Sequence, residues 1–282
     1  LQVGADPAKI RQIAAQIALG DLDIKTVGGT GILASIHRIV DTLKEATAQA
    51  RVIASGDFSA DITLRGDHDE LGKAWRGMTQ TLREASLAVE AVADGKFDIT
   101  VDPKGPQDRL GLSLLRMTTA LGDRAWLRNH TLELVETMAD TDDIRELSQR
   151  TIAYMAKALN AKMASLYLAN ERGDVLVLHS TYARYKPINP SREIQLGEGI
   201  TGQAALEKHM ISLSNVPEDY PQLSSSLGNT SPRHILAAPL LHEGRLIGVA
   251  EFASVDKFSD LQLSLLRQSS ENIAVALCSA TD

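Results

Sequence analysis

The chain has 282 residues and a formal net charge of −7, with 44% hydrophobic and 23% charged residues. This length suits about two or three domains, and the acidic balance argues against a nucleic-acid partner, because phosphate binding requires clustered Lys and Arg. Cys278 is the only cysteine, so an internal disulfide and a cysteine-based metal site are excluded. No apolar run approaches the roughly 18–20 residues that span a bilayer, and no signal peptide is visible.

Two stretches in the first third carry apolar residues at alternating steps of three and four, the spacing of a helix that packs against partner helices. They lie within 32–55 and 71–92, and we predict a helix over each. The small residues Ala46, Ala50 and Ala85 allow close approach along these seams. The packing core that we predict extends into a preceding and a following helix and consists of Ile10, Ile13, Ile17, Ile36, Ile39, Leu43, Met78, Leu82, Val89, Val92, Leu114 and Met117.

Residues 1–123 form an internal repeat. Segments around Gly20, Gly56 and Gly95 align with one another, 36 and then 39 residues apart, and glycine ends a helix cheaply in the left-handed conformation. After each glycine we expect an extended connector that runs back along the first helix, so that a second helix points the same way. Two parallel helices cannot by themselves bury all of the apolar residues along their contact faces. We therefore expect a parallel homodimer, in which a second chain completes each four-helix bundle.

These residues resemble the HAMP domain, the helical linker of bacterial sensor proteins, in three concatenated copies at 1–47, 43–86 and 82–123. Asp69-Glu70-Leu71-Gly72 matches the acidic start of the second HAMP helix, whereas the third copy has Arg109 in place of Glu. If the acid couples connector to helix, as the resemblance implies, the copies should differ. The motif residues are Pro7, Gly20, Gly56, Glu70, Gly72, Gly95 and Gly111.

The apolar steps of the third copy fail after Leu121, and the next apolar pair is Trp126-Leu127. A phase break of this kind unwinds or overwinds a coiled coil locally. We place a domain boundary at Gly122-Asp123. Two interpretations remain open there: a site that converts rotation into another motion, and a plain junction.

The second part, 124–282, alternates helical and strand patterns, with flanking helices predicted at about 124–140 and 259–280. Asp142 or Asp143 begins a further helix, and a short helix runs from Gly199 through Glu207. We expect a long loop over 217–233. The predicted strands, which pair as antiparallel hairpins, cover 163–169, 175–180, 210–214, 235–241 and 246–254.

This order of elements resembles a GAF domain, with the clearest residues at 197–203, Ala238-Pro239-Leu240, and Ile247-Gly248-Val249 with Glu251. Residues 215–220 and 224–228 resemble more narrowly the GAF domain of multi-HAMP hybrid sensor histidine kinases. The fold class that we predict is α+β overall: N-terminal all-α parallel dimeric four-helix bundles, forming a HAMP stack, followed by an α/β GAF domain with an antiparallel sheet.

We find no nucleophile elbow, no phosphate loop and no histidine pair with metal-ligand spacing, so we predict no catalytic residue and no metal site. Glycines 197, 199 and 202 have dinucleotide-fingerprint spacing, but we assign them to a helix-capping turn because no suitable strand–loop–helix unit surrounds them. His37 and His130 lack the context of a phospho-accepting histidine.

The resemblance implies that the GAF core can hold a small ligand between its sheet and its crossing loops; an occluded or empty pocket is the alternative. The ligand is unknown and no cofactor is identified, and the Asn-Lys-Phe-Asp-Glu signature of cyclic-nucleotide-binding members is absent. The pocket wall that we predict contains Tyr182, Tyr185, Tyr220, Leu223, Ser226, His234 and Phe252.

We therefore expect a homodimeric input and relay module of a bacterial sensor histidine kinase, which passes conformational change to downstream kinase domains of the same chain. The fragment itself is not expected to be an enzyme. Because the chain begins with Leu, we expect a piece of a longer cytoplasmic protein, with or without an upstream membrane anchor. The alternatives are a structural dimerising spacer with a ligand-binding GAF domain, and the same module from a chemoreceptor or nucleotide cyclase.

Overall fold

The structure is a computed structural model. It describes residues 7–24, 31–139, 141, 143–183, 193–214, 216, 223–225 and 228–281. The chain divides into two compact units, Leu1–Thr118 and Thr119–Asp282, which are described separately below.

The first unit is built from helices joined by extended segments. Gly20, Gly56 and Gly95 have φ values of 82°, 88° and 77°, so each adopts the left-handed conformation that was predicted just beyond a helix end. We name the segment 57–69 the first connector and the segment 96–108 the second connector. The helices are α1 (Pro7–Ala18), α2 (Ile32–Ala54), α3 (Glu70–Ala93) and α4 (Arg109–Ala139), the last of which continues into the second unit.

The uninterrupted course of α4 corrects the predicted start of a helix near 124, because this helix begins at Arg109 and contains Gly122-Asp123. The two compact units divide after Thr118, four residues before that dipeptide. The change of apolar phase after Leu121 has another cause. Leu134 and Met138 are buried in the core of the second unit, and Trp126 and Leu127 pack against the same core. The phase break therefore marks a change of packing partner and not the end of a helix.

The second unit contains a six-stranded antiparallel sheet with strand order β3-β2-β1-β8-β7-β4. Its strands are β1 (Met163–Ala169), β2 (Val175–Tyr182), β3 (Glu193–Gln195), β4 (Ile211–Ser214), β7 (His234–His242) and β8 (Arg245–Ser254). Within the predicted loop 217–233 the structure instead has a separate pair, β5 (Leu223–Ser225) with β6 (Gly228–Thr230). These short Ser-, Asn- and Gly-containing strands carry no alternating apolar signal, so the sequence pattern did not predict them.

The helices of this unit are α5 (Ile144–Ala158), α6 (Gly199–Glu207) and α7 (Asp260–Ser279). Asp143 caps α5 as predicted, and Ser259 and Gln262 form a reciprocal capping box at the start of α7. The strand β3, which was not among the predicted strands, precedes the glycine turn and α6. It pairs antiparallel with β2, so the parallel strand–helix–strand unit of a dinucleotide site is not formed.

The two faces of the sheet have different coverings, because successive side chains of a strand point to opposite sides. On one face, Leu236, Ala250 and Phe252 belong to the core that contains residues of α5, α7 and the end of α4. On the other face, Ala237 and Val249 pack with Ala204 and Ala205 of α6. The main core of the unit therefore lies on the α5–α7 side.

Candidate functional site

The predicted packing core of the first unit is only partly covered within the single chain. Ile13 and Leu114 are buried, and Ile10, Ile17, Ile36, Leu43, Leu82 and Val92 are half-buried. The remaining members stay exposed: Ile39 by 54%, Val89 by 49%, Met78 by 41% and Met117 by 36%.

Most of these exposed residues lie on one line of each helix. Exposed apolar residues recur at seven-residue steps in the pairs Ile32–Ile39 on α2, Leu71–Met78 on α3 and Leu110–Met117 on α4. Seven residues make nearly two helical turns, so each pair shares a helix face. Each helix therefore presents an uncovered apolar line, which we call the open seam.

Each connector is tied to the helix that follows it by an aspartate. Asp69 accepts hydrogen bonds from the amide of Gly72 at 2.9 Å and the amide of Arg65 at 3.0 Å. Asp108, 39 positions later, accepts from the amides of Gly111 and Lys104 at the same two distances. Backbone hydrogen bonds hold the pKa of both carboxyls below the usual value, with Arg65 contributing most at Asp69 and Gly111 most at Asp108. We call each arrangement an Asp–Gly joint.

Glycine is required at the fourth residue of each joint. A Cβ on Gly72 would lie 2.8 Å from Cγ of Asp69, and a Cβ on Gly111 would lie 2.9 Å from Cγ of Asp108. These separations are too short for a real side chain. The glycines therefore leave room for the aspartate to reach the helix amide, as the resemblance to HAMP had suggested for the motif as a whole.

The basic residue four positions before each aspartate reaches back to the preceding helix. Arg65 pairs with Glu45 of α2 at 2.5 Å, and Lys104 lies 3.4 Å from Glu84 of α3. Lys104 also donates to the hydroxyl of Thr81 at 2.6 Å. Glu45 and Glu84 are again 39 positions apart, so the same link between helix, connector and next helix occurs twice.

This geometry changes the role expected for Glu70. Its carboxylate pairs with Lys73 at 2.8 Å on its own helix, and its side chain is 82% exposed. The residue that couples connector to helix is Asp69, and Asp108 does the same in the second connector. Arg109 in place of Glu therefore leaves the joint intact. The corresponding residues just before α2, Gly29 and Thr30, lie outside the described residues.

In the second unit, the α6 face of the sheet carries one half-buried carboxylate. Glu251 on β8 accepts a hydrogen bond from the hydroxyl of Thr201 on α6. Its neighbours along the strand on this face, Val249 and Ala253, are buried in apolar clusters. A carboxylate in such surroundings can accept hydrogen bonds from polar groups or balance a positive charge. The sequence pointed to Glu251 only as a motif residue.

The predicted pocket wall is not assembled on that face. Phe252 is fully buried on the opposite, α5–α7 side, and Tyr182 packs against the same core. The physical reason is strand alternation, because Phe252 follows Glu251 directly. His234 begins β7, with Nδ1 at 3.2 Å from the Ser214 hydroxyl. Leu223 lies in β5, and Tyr185, Tyr220 and Ser226 lie outside the described residues.

A polar cluster that sequence reasoning missed connects α4 to α5. The Tyr154 hydroxyl on α5 lies 2.8 Å from Nδ1 of His130 and 2.9 Å from Oε2 of Glu133, both on α4. The Trp126 ring meets the His130 ring edge-on at a centroid distance of 4.2 Å. The spacing of His130 and Glu133, three apart on a helix, was the available signal.

Two features are absent from the residues that the structure describes. No helix among them combines the length and apolar character that crossing a bilayer requires. No group of three or more His, Cys, Asp or Glu in the same described part is placed to hold a metal ion.

Comparison with protein families gives two matches, the HAMP domain over residues 34–74 and the GAF domain over residues 141–277. The chain contains a HAMP domain and a GAF domain. The HAMP match covers most of α2, the first connector and the start of α3, and thus includes the first Asp–Gly joint. Both domain types point to a sensor or relay module in signal transduction. A comparison with curated proteins finds no match.

Solved structures similar to the chain include the GAF domains of phosphoenolpyruvate-protein phosphotransferases. The Acinetobacter domain is 17% identical, with a TM-score of 0.45, and the Coxiella burnetii domain is 16% identical, with a TM-score of 0.46; each alignment covers 55% of this chain and 94% of that chain. Free methionine-R-sulfoxide reductase from Neisseria meningitidis, in complex with its substrate, is 23% identical over 55% of this chain and 90% of its own, with a TM-score of 0.44. Similarity at this level supports no statement about activity.

Proposed function

We propose that the chain is a relay module in which consecutive HAMP units pass a change of helix packing to the GAF domain. The observation that carries the proposal is the repeated Asp–Gly joint, formed by Asp69 with Gly72 and by Asp108 with Gly111. One copy lies within the HAMP match, and the second copy has the same hydrogen bonds 39 positions later. A helix shared by two such units transfers a displacement from one to the next.

The stack in this proposal has three units, at 1–47, 43–86 and 82–123. Support for the third unit comes from the second joint and from Thr118, which is buried as Thr79 is. Support for the first is the sequence repeat, with Gly20 in the left-handed conformation like Gly56 and Gly95.

The working form in this proposal is a parallel homodimer. The open seam supports it, since exposed Ile39, Met78 and Met117 lie at positions that a second copy would cover. Each unit would then have two packings of similar energy, and a stimulus would shift the population between them. The output that we propose is a histidine kinase carried by the same cytoplasmic polypeptide.

Sedimentation analysis of the 282-residue chain tests the dimer. Met78→Glu places a charge on the open seam, and we expect it to weaken dimerisation at least about tenfold. Leu87→Glu is the matched control, because Leu87 is 58% exposed on α3 but lies off the seam. A monomeric parent chain, or equal weakening by both substitutions, would contradict the proposal.

The relay is tested in the full-length parent protein. Met78→Ala should change kinase output while leaving dimers intact, because it alters seam packing without adding a charge. Unchanged output with intact dimers would favour the alternative, a dimerising spacer in which only the GAF domain senses a ligand. A kinase-free parent would favour the chemoreceptor or nucleotide cyclase alternative.

A further inference from the structure

Two arginines of α3 bind the first half of the first connector, from Phe58 to Ile62. Arg83 donates through Nε to the carbonyl of Phe58 at 2.8 Å, and through Nη2 to the carbonyls of Ser59 and Ala60 at 3.0 and 3.1 Å. Arg76 donates through Nε and Nη2 to the carbonyl of Ile62 at 3.1 and 2.7 Å. The connector carbonyls from Phe58 to Ala60, together with that of Ile62, are thus bound to one helix.

The two arginines act together because they are seven residues apart and so lie on one face of α3. A guanidinium offers five donors in a fixed plane, which suits it to binding several carbonyls at once. Arg83 also pairs with Asp61 at 3.3 Å, and its side chain is only 30% exposed. Ile62, whose carbonyl Arg76 binds, is buried at 7% exposure.

The second connector lacks equivalent hydrogen bonds from arginine side chains of the helix that follows it. The positions 39 residues after Arg76 and Arg83 are Leu115 and Gly122, and neither side chain can donate a hydrogen bond. Within the part of the chain that the structure describes, no side chain of α4 donates to a carbonyl of 97–103. The second connector is held near its end, by Lys104 to α3 and by Asp108 to α4. Val101, equivalent to Ile62, is only half-buried.

We propose that the first connector and α3 move as one rigid body, and that the second connector is the flexible segment of the N-terminal unit. In the proposed relay, on which this consequence rests, a packing change would leave the 57–93 segment internally unchanged and be absorbed at 96–108. Arg76 and Arg83 are then positioning residues that decide which of two otherwise similar units deforms.

Site-directed spin labelling of the 282-residue chain tests this placement. In a Cys278→Ser background, Thr63→Cys and Asp102→Cys provide matched labels, since both positions are exposed and they are 39 residues apart. We expect the label at 63 to rotate several-fold more slowly than the label at 102. The double variant Arg76→Ala/Arg83→Ala should bring the label at 63 to the mobility of that at 102, and should leave 102 unchanged.

Arg116→Ala is the matched control, because among the described residues Arg116 on α4 donates only to Leu112 and Ser113 of its own helix. The double variant Leu115→Arg/Gly122→Arg places arginines at the positions equivalent to Arg76 and Arg83. It should slow the rotation of the label at 102, and loss of folding cannot produce this result. Equal mobility at 63 and 102 in the parent chain, or no response of the label at 63 to the arginine removal, overturns the proposal. Label mobility is read whether the chain is monomeric or dimeric, so failure of the homodimer would not be mistaken for failure of this inference.

Discussion

The hydroxyl of Tyr154 lies 2.8 Å from Nδ1 of His130, and this contact joins α5 to α4. Tyr154 has one proton to donate, and its acceptors are the carboxylate of Glu133 at 2.9 Å and the backbone carbonyl of His130 at 3.1 Å. In the tautomer with a proton on Nδ1, His130 donates to the tyrosine oxygen. Burial, reinforced by the Glu133 carboxylate, raises the pKa of Tyr154, so the hydroxyl stays protonated. The neutral hydroxyl of Tyr154 thus links the imidazole of His130 to the carboxylate of Glu133.

Removing that bridge should weaken the second unit. We expect Tyr154→Phe to lower its free energy of unfolding by about 1–2 kcal/mol, because two partners lose a hydrogen bond. Urea unfolding followed by Trp126 fluorescence, in a Trp75→Phe background, measures the change. Tyr182→Phe is the control, since the Tyr182 hydroxyl makes no hydrogen bond among the described residues. Equal effects of the two substitutions would show that the bridge contributes nothing.

The Asp–Gly joint predicts opposite results for two nearby glycines of α3. Gly72→Ala should destabilise the N-terminal helices by about 1–3 kcal/mol, because its Cβ would collide with Asp69. Gly77→Ala should stabilise them by up to about 1 kcal/mol, because Gly77 has open space around it in a helix interior. Thermal unfolding followed by far-UV circular dichroism distinguishes the two. A stabilising Gly72→Ala would mean that the joint is not formed.

Neighbouring acids at the start of α3 should also behave differently. Glu70→Ala removes only an exposed ion pair with Lys73 and should change the free energy of unfolding by no more than about 0.5 kcal/mol. Asp69→Ala removes both hydrogen bonds of the joint and should lower the melting temperature clearly more. The same thermal scan compares them. A larger effect at Glu70 would return the coupling role to the residue that the HAMP resemblance first indicated.

Low pH should weaken the hydrogen bonds of the two Asp–Gly joints. Since the pKa values of Asp69 and Asp108 are lower in the folded chain, their contribution to stability is present above the unfolded value of about 4 and is lost as the pH falls through the folded value. We expect the melting temperature to fall on acidification through this range. The double variant Asp69→Asn/Asp108→Asn should fall less steeply, because Asn does not titrate. Superimposable pH profiles for parent and variant would contradict this assignment.

Local signals made much of the fold predictable from the sequence. Glycines such as Gly56 and Gly95 mark helix ends, and the short apolar runs of β1 and β8 next to turn residues mark strands, because these features depend on neighbours along the chain. Local signals do not show on which face of the sheet a strand residue lies. Phe252 was assigned to a pocket because the sequence does not reveal which side of the sheet α5 and α7 cover.

Contacts between distant positions left weaker traces in the sequence. Arg83 binds backbone carbonyls more than twenty residues away, and a carbonyl acceptor places no requirement on residue type. The continuity of α4 was missed although it does leave a signal in the sequence. Its apolar residues do follow a pattern, but the pattern changes where Leu134 and Met138 enter a different core.

The distribution of these contacts also bears on how the chain tolerates insertions and deletions. The first connector is held from Phe58 to Asp69, so an added residue anywhere within it would displace a carbonyl or an amide from its partner. The second connector is held from Lys104 onward, and its earlier residues can lengthen without breaking a side-chain contact to α4. Among related chains, length variation in this region should therefore concentrate between Phe97 and Pro103, and the corresponding stretch before Arg65 should keep a constant number of residues.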